Sequence, residues 1–377
     1  DQIIVQYADN IRGTSVDHVA QAATLSSAAG VELTYMRTFG DNSLVVKLPG
    51  WETLATIDTI GDNIIANAPE VTGVEPDLWN TIAQTPNDSY YQEQWHYFVP
   101  QTGNYGANLP NAWRITTGSA ATVVAVVDTG ITNHSEFAGR TVPGYDFIYD
   151  VPMANDGDGR DSNPSDPGDW ISLDDASGYF WGCFPSDSSW HGTHVAGTIA
   201  ANSNNRVGVA GINWNAKILP VRVLGKCGGY SSDVADGIRW AAGLPVSGVP
   251  ANPNPARVIN LSLGGSGPCD SIFQDAITAA VSNGALVVVA AGNANDDAFF
   301  YAPASCADVI TVAATDRNGD HASYSNYGAA VEISAPGGDS SGGANGVLST
   351  WNTGATTPAT EGYAFYVGTS MAAPHVA

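Results

Sequence analysis

Three residues of this 377-residue chain are of the right types, in the right settings, to make a nucleophile. Ser370 lies in Gly368-Thr369-Ser370-Met371-Ala372-Ala373-Pro374-His375-Val376-Ala377, a glycine turn that runs into the start of a helix. A serine hydroxyl is a weak nucleophile at neutral pH. It needs a base within hydrogen-bond reach and a third group to orient that base. His191 opens His-Gly-Thr-His-Val-Ala-Gly-Thr, and Asp128 closes the apolar run Thr122-Val123-Val124-Ala125-Val126-Val127. Taken alone, a serine after Gly-Thr reads as a helix cap. With a histidine and an aspartate in such settings it reads as the third member of a charge-coupled triad.

The order along the chain separates the types of triad: Asp, then His, then Ser is the order found in subtilisin. The motifs Val-Val-Asp-Thr-Gly at 126–130, His-Gly-Thr-His-Val-Ala-Gly-Thr at 191–198 and Gly-Thr-Ser-Met-Ala-Ala-Pro-His-Val-Ala at 368–377 resemble those of the subtilisin-like serine peptidases. The resemblance covers roughly residues 86–377. It implies Ser370 as nucleophile, His191 as general base and then acid, and Asp128 as the group that fixes the imidazole tautomer. It also implies Asn293, in Val289-Ala290-Ala291-Gly292-Asn293, as a side-chain donor to the oxyanion, with the Ser370 backbone N–H as the second donor. Without the triad, Gly-Asn after a strand would be an ordinary turn. Ser262, Leu263 and Gly264 match the family's segment beside the substrate pocket. Gly228 and Gly229 fall where a substrate would pair as an added strand.

Several elements must position these groups. Apolar runs at Thr122–Asp128, Lys217–Val223, Val258–Leu263, Ala285–Ala291 and Val309–Ala313 alternate with helical patterns at His191–Ala201, Ser232–Ala242 and Asp270–Ser282. Near-continuous β-branched runs mean strands buried on both faces. The fold class is therefore α/β, a mostly parallel sheet with helices on both faces. Ligands of such sheets sit off the carboxyl ends of the strands, where Asp128 and Asn293 fall. Ahead of it, a strand Gln2–Ala8, helix Val16–Ala29, strands Glu32–Phe39 and Ser43–Leu48 around Gly40-Asp41-Asn42, helix Trp51–Ala68 and strand Val71–Leu78 make a β-α-β-β-α-β series, the ferredoxin-like α+β pattern. Before a subtilisin-like domain, such a unit resembles the family's inhibitory, folding-assisting propeptide. The expected organisation is a propeptide over 1–83 and a peptidase domain over 84–377. The expected cut lies between Asn80 and Asn87, in a polar connector with turn chemistry. The chain stops seven residues after Ser370, where family members continue, so the peptidase domain is expected to be truncated at its C-terminus.

Composition narrows the partners. With 37 acids and 13 bases the formal charge is −24, which argues against nucleic acid and anionic membrane surfaces. No apolar run approaches the ~18 residues of a membrane span. The first residue is Asp, with no export signal before it, so any such signal is expected to have been removed. Residues 150–187 hold nine Asp and one Arg. Within them Asp156, Asp158 and Asp161 alternate with glycines and an arginine, and Asp166 and Asp169 follow across prolines. A turning loop could bring such hard oxygens onto one Ca2+, although the spacing is not that of an EF-hand. A solvated acidic surface is the plainer alternative. The family's use of calcium to hold loops favours the metal, so structural Ca2+ is the expected cofactor.

Four cysteines allow three pairings. Cys269 follows the Ser262 segment and Cys306 follows the Asn293 strand, two loops that would flank one pocket. Cys269–Cys306 is therefore expected, leaving Cys183–Cys227. The resemblance as a whole implies a secreted, extracellular serine endopeptidase. It would be made as a self-processing zymogen and act as a monomer on protein or peptide substrates, with its own propeptide as inhibitor. An inactive subtilisin-like binding module and an intracellular processing peptidase are the alternatives. The intact triad and Asn293 argue against the first, and the propeptide and cysteine positions against the second.

Overall fold

In the computed structural model, residues 1–8, 17–39, 43–77 and 85–377 are described. The chain divides into two compact units, Asp1–Ile82 and Ala83–Ala377. In the first, four strands pair antiparallel in the order Thr34–Phe39, Ser43–Lys47, Gln2–Tyr7, Val71–Pro76. Helices His18–Ala29 and Leu54–Asn67 supply Leu25, Ile57, Ile60 and Ile64 to the core built on Ile3, Val5, Leu44 and Val46. The His18 helix starts where Asp17 caps Val19 N and Ala20 N, and it ends at Gly30 in the left-handed conformation. This is the expected ferredoxin-like order. The expected turn Gly40-Asp41-Asn42, the start of the first helix at Val16 and much of the connector lie outside the described residues.

The second unit is built on a seven-stranded parallel sheet. From edge to edge its strands are Ile333–Pro336, Ile310–Thr315, Leu286–Ala290, Val258–Leu261, Val123–Asp128, Lys217–Arg222 and Tyr145–Asp146. Alternate strand residues face opposite ways, which divides the core in two. Ala125, Val127, Leu219, Val221, Ile259 and Val289 meet helices Ser231–Ala241 and Ser271–Ser282. Val124, Val126 and Ile218 meet Val195 and Ile199 of helix His191–Ala200 together with Met371. Beside them, Val288, Ala290 and Val312 meet Ala372 and Ala373 of helix Thr369–Val376. The helix that begins at the candidate base and the one that carries the candidate nucleophile thus lie on the same face of the sheet.

The two edge strands Tyr145–Asp146 and Ile333–Pro336 escape the sequence pattern because they are short. The antiparallel hairpin Val347–Asn352 with Glu361–Tyr366 escapes it for another reason. Its buried Ser349 and Thr350 break the apolar pattern, because their hydroxyls donate to His194 O and Thr193 O of the neighbouring helix. Both disulfides form as expected, Cys183–Cys227 and Cys269–Cys306, with Cα separations of 6.0 and 5.0 Å.

Candidate active site

Asp128 is the last residue of the central strand Val123–Asp128 and is fully buried. Its Oδ1 accepts from Thr129 N at 2.8 Å, and its two oxygens lie 2.8 and 2.9 Å from His191 Nδ1. Thr129 N therefore fixes the carboxylate, and the carboxylate in turn fixes the tautomer with the proton on Nδ1, leaving Nε2 as an acceptor. His191 is the first residue of its helix. It follows Trp190, which is fully buried in a left-handed conformation at φ 46°. Gly192 packs against Gly130 O so closely that no side chain fits there, which accounts for the glycine after His191. Burial pulls the imidazole down, but the charge and hydrogen bond of Asp128, with Asp169 and Asp166 beyond, bring it above the ordinary value.

Ser370 stands in the first turn of helix Thr369–Val376, where backbone amides have no intrahelical acceptor. Its hydroxyl donates to Ser262 O at 3.2 Å, and Ser262 Oγ donates to Ser370 O at 2.8 Å. The serine is thus pinned to the expected substrate segment, and among the described residues no hydrogen bond joins it to His191. A rotation about χ1 releases the hydroxyl from Ser262 O. Catalytic hydrogen bonds commonly close only when substrate is bound.

Asn293 Oδ1 accepts from both Thr369 N and Thr369 Oγ1 at 2.9 Å. That leaves its Nδ2 as a free donor. A methyl carbon placed on Gly368 would lie 3.5 Å from Asn293 Nδ2 and 3.7 Å from Ser370 N. Asn293 Nδ2 and Ser370 N, from separate elements, thus lie near one point at Gly368, the two groups an oxyanion would need there. Thr369, which orients the amide, is not among the residues expected from sequence, because its role depends on a contact across 76 positions. We expect Asn293→Ala to fold and to lose roughly 10²–10³ in kcat, the range known for this donor in subtilisin. Steady-state kinetics with a peptide anilide checks this.

Gly228 and Gly229 meet Leu263, Gly264 and Gly265 around a cavity of about 490 Å³ floored by Leu224, Val234 and Phe273. The expected substrate segments are therefore two walls of one pocket, and the three apolar floor residues are additions that only the packing reveals. Asp270 also lines it, while capping Phe273 N at 3.0 Å. A second cavity, of about 430 Å³, shares Leu224, Cys227 and Gly228 with the first and continues past His191, Ile171 and Phe184.

The expected calcium set does not assemble: among the described residues, no three acidic, histidine or cysteine side chains converge as metal ligands. The carboxylates are spoken for by the protein. Asp156 pairs with the buried Arg222 at 2.7 Å, beside Asp146, which the same guanidinium also holds. Asp161 accepts from Asn163 N at 2.8 Å, and the exposed Asp158 donates its backbone N to Asp156 Oδ1 at 3.3 Å. Asp166 turns inward to Thr129 Oγ1 at 2.7 Å and Gly168 N at 2.9 Å. Asp169 holds Ser189 N and Ser189 Oγ, each at 2.6 Å. Two cations from outside the insertion meet its carboxylates, Arg222 at Asp156 and Lys226 at Asp175, while the insertion's own Arg160 pairs outward with Asp233 and Asp236. Arg222 and Lys226 lie far downstream in sequence, which is why the insertion looks unpaired when read locally.

Comparison with known proteins agrees with this geometry. The profile of the subtilase family, Peptidase_S8, matches residues 119–377. The chain is 48% identical over 364 residues to an extracellular protease of Xanthomonas campestris pv. campestris, covering 97% of this chain and 60% of that protein. It is 46% identical over 354 residues to an extracellular basic protease of Dichelobacter nodosus, covering 92% of this chain and 56% of that protein. The chain thus spans about three fifths of the length of these relatives. Among solved structures, one of proteases from Pseudoalteromonas arctica superposes with a TM-score of 0.75 at 53% identity, covering 78% of this chain and 85% of the other.

Proposed function

Since the chain belongs to the subtilase family, we propose that it carries the catalytic unit of a serine endopeptidase that cleaves protein and peptide substrates through an acyl-enzyme on Ser370. The observation that carries this reading is the pairing of Asp128 with His191 Nδ1, on the sheet face shared with the helix of Ser370. His191 Nε2 takes the Ser370 proton as Oγ attacks the scissile carbonyl. Asn293 Nδ2 and Ser370 N receive the oxyanion, and the imidazolium then protonates the leaving amine. Water repeats the sequence to release the acyl group. Substrate lies along Gly228-Gly229 and Ser262-Leu263-Gly264, and the pocket between them, with Leu224, Val234 and Phe273 at its floor, suits large apolar side chains.

The compact unit Asp1–Ile82 acts in this proposal as the propeptide, an inhibitor and folding assistant that the enzyme releases from itself. The protein works outside the cell. Two disulfides, which persist in oxidising compartments, and relatives named as extracellular proteases support that location. The test is to incubate the purified full-length protein alone and then with a reduced, denatured protein. Expected are a new N-terminus between residues 80 and 87 and internal peptides cut mostly after large apolar residues. A chain that stays whole and leaves the substrate intact would refute the proposal, and a majority of cuts after Lys or Arg would refute the assigned preference.

A further inference from the structure

Part of the acidic insertion packs beside the candidate base. Asp166 and Asp169, which follow Pro164 and Pro167, bond to opposite ends of the short turn that holds His191. On one side Asp169 binds the backbone N and the hydroxyl of Ser189, each at 2.6 Å. On the other, buried Asp166 accepts from Thr129 Oγ1 at 2.7 Å, and that oxygen accepts from Gly192 N at 3.0 Å. Between these anchors stand Trp190, whose indole donates to Gly354 O at 2.8 Å, and His191. A left-handed tryptophan persists only where its surroundings hold it. Ser189 and Gly192 are the two residues that frame the Trp190-His191 pair, and each is tied to one of these carboxylates.

We propose that Asp166 and Asp169 are positioning residues of the catalytic base, clamping both ends of the turn that presents His191 and favouring its protonated form as it accepts the Ser370 proton. This rests on the peptidase reading above. The charged and titratable groups facing His191 are Asp128 from the strand end, Asp166 and Asp169 from the insertion, and His194 from its own helix; Arg222 faces Asp166. Burial pushes His194 down to about 3, so it carries no charge in the working range. Burial, with Asp169 beside it, pushes Asp166 up to about 7, so its charge acts on His191 in full only above that pH.

A general base must be neutral, so negative charge behind His191 moves the acid limb of kcat/KM to higher pH, and its removal moves the limb down. In the full-length protein, Asp166→Asn and Asp169→Asn remove charge while keeping the side-chain shape and one of the two acceptor oxygens. Asp169→Asn is expected to shift the limb to lower pH by on the order of half a unit, and Asp166→Asn by less. Asp169→Ala also strips Ser189 of its acceptor, and is expected to lower plateau kcat by about tenfold relative to Asp169→Asn, with KM little changed. The His191 ring resonance, titrated by NMR in a Ser370→Ala background, reads the same shift without turnover. If that resonance and the acid limb both stay in place in the two Asn variants, the proposal is overturned. If the wild type does not cleave peptides but the ring resonance shifts as expected, the peptidase reading fails and the clamp stands.

Discussion

Ser370→Ala is expected to lower kcat by on the order of 10⁶, the loss found when the corresponding serine of subtilisin is removed, while the fold and the melting temperature stay close to those of the wild type. In energy this is about 8 kcal/mol of transition-state stabilisation. The fold tolerates the change because the hydroxyl makes one hydrogen bond, to Ser262 O, while Ser262 Oγ remains satisfied by the backbone carbonyl of residue 370. Met371, Ala372 and Ala373 keep the helix on the sheet. Chemistry does not tolerate it, because no other side chain at that turn can form the acyl bond. The same variant is expected to remain a single uncut chain, which denaturing electrophoresis after purification reads directly. Cleavage of the variant at the rate of the wild type would remove Ser370 from the mechanism.

Asp128→Asn should cost about 10⁴ in kcat with little change in KM. The reason lies in Thr129. Its N–H points at Oδ1 of residue 128 at 2.8 Å and needs an acceptor, so the amide oxygen of an asparagine takes that position. The amide nitrogen then takes the Oδ2 position, 2.9 Å from His191 Nδ1, where it can donate to a bare Nδ1 but opposes a protonated one. The ring answers by placing its proton on Nε2, the atom that must accept from Ser370. The loss is one of tautomer and not of structure, so the variant should melt within a few degrees of the wild type and gain activity as pH rises. A drop of less than tenfold, or an unfolded protein, would contradict this account.

How much of this was legible in the sequence depends on the range of the interaction. Strands Val123–Asp128 and Leu286–Ala290 announce themselves because burial on both faces demands unbroken apolar residues. Asp128 and His191 are legible because the motifs around them also serve packing: Gly192 is required by Gly130 O, and Gly197 by the hydroxyls of Ser349 and Thr350. The pocket walls could be named from their glycines, whereas Val234 and Phe273 look like any other core residues of their helices. The partners of the acidic insertion were hidden for the same reason. Its carboxylates answer to Arg222, Thr129 and Ser189, which the chain supplies from outside it, and local spacing holds no record of those partners. The hairpin Val347–Asn352 with Glu361–Tyr366 was missed because its polar residues pair with a helix backbone that only the tertiary fold brings alongside.

The central claim is that Ser370 is a nucleophile activated by the His191–Asp128 pair. A fluorophosphonate reacts with such a hydroxyl and with very few others, so the direct measurement is to label the full-length protein after its N-terminal unit has been removed, digest it, and locate the adduct by mass spectrometry. The account predicts one adduct per molecule, on Ser370 in the peptide containing Gly368-Thr369-Ser370-Met371, with labelling abolished in Ser370→Ala and slowed by about 10⁴ in Asp128→Asn. An unlabelled protein, or an adduct on another residue that survives Ser370→Ala, would contradict it.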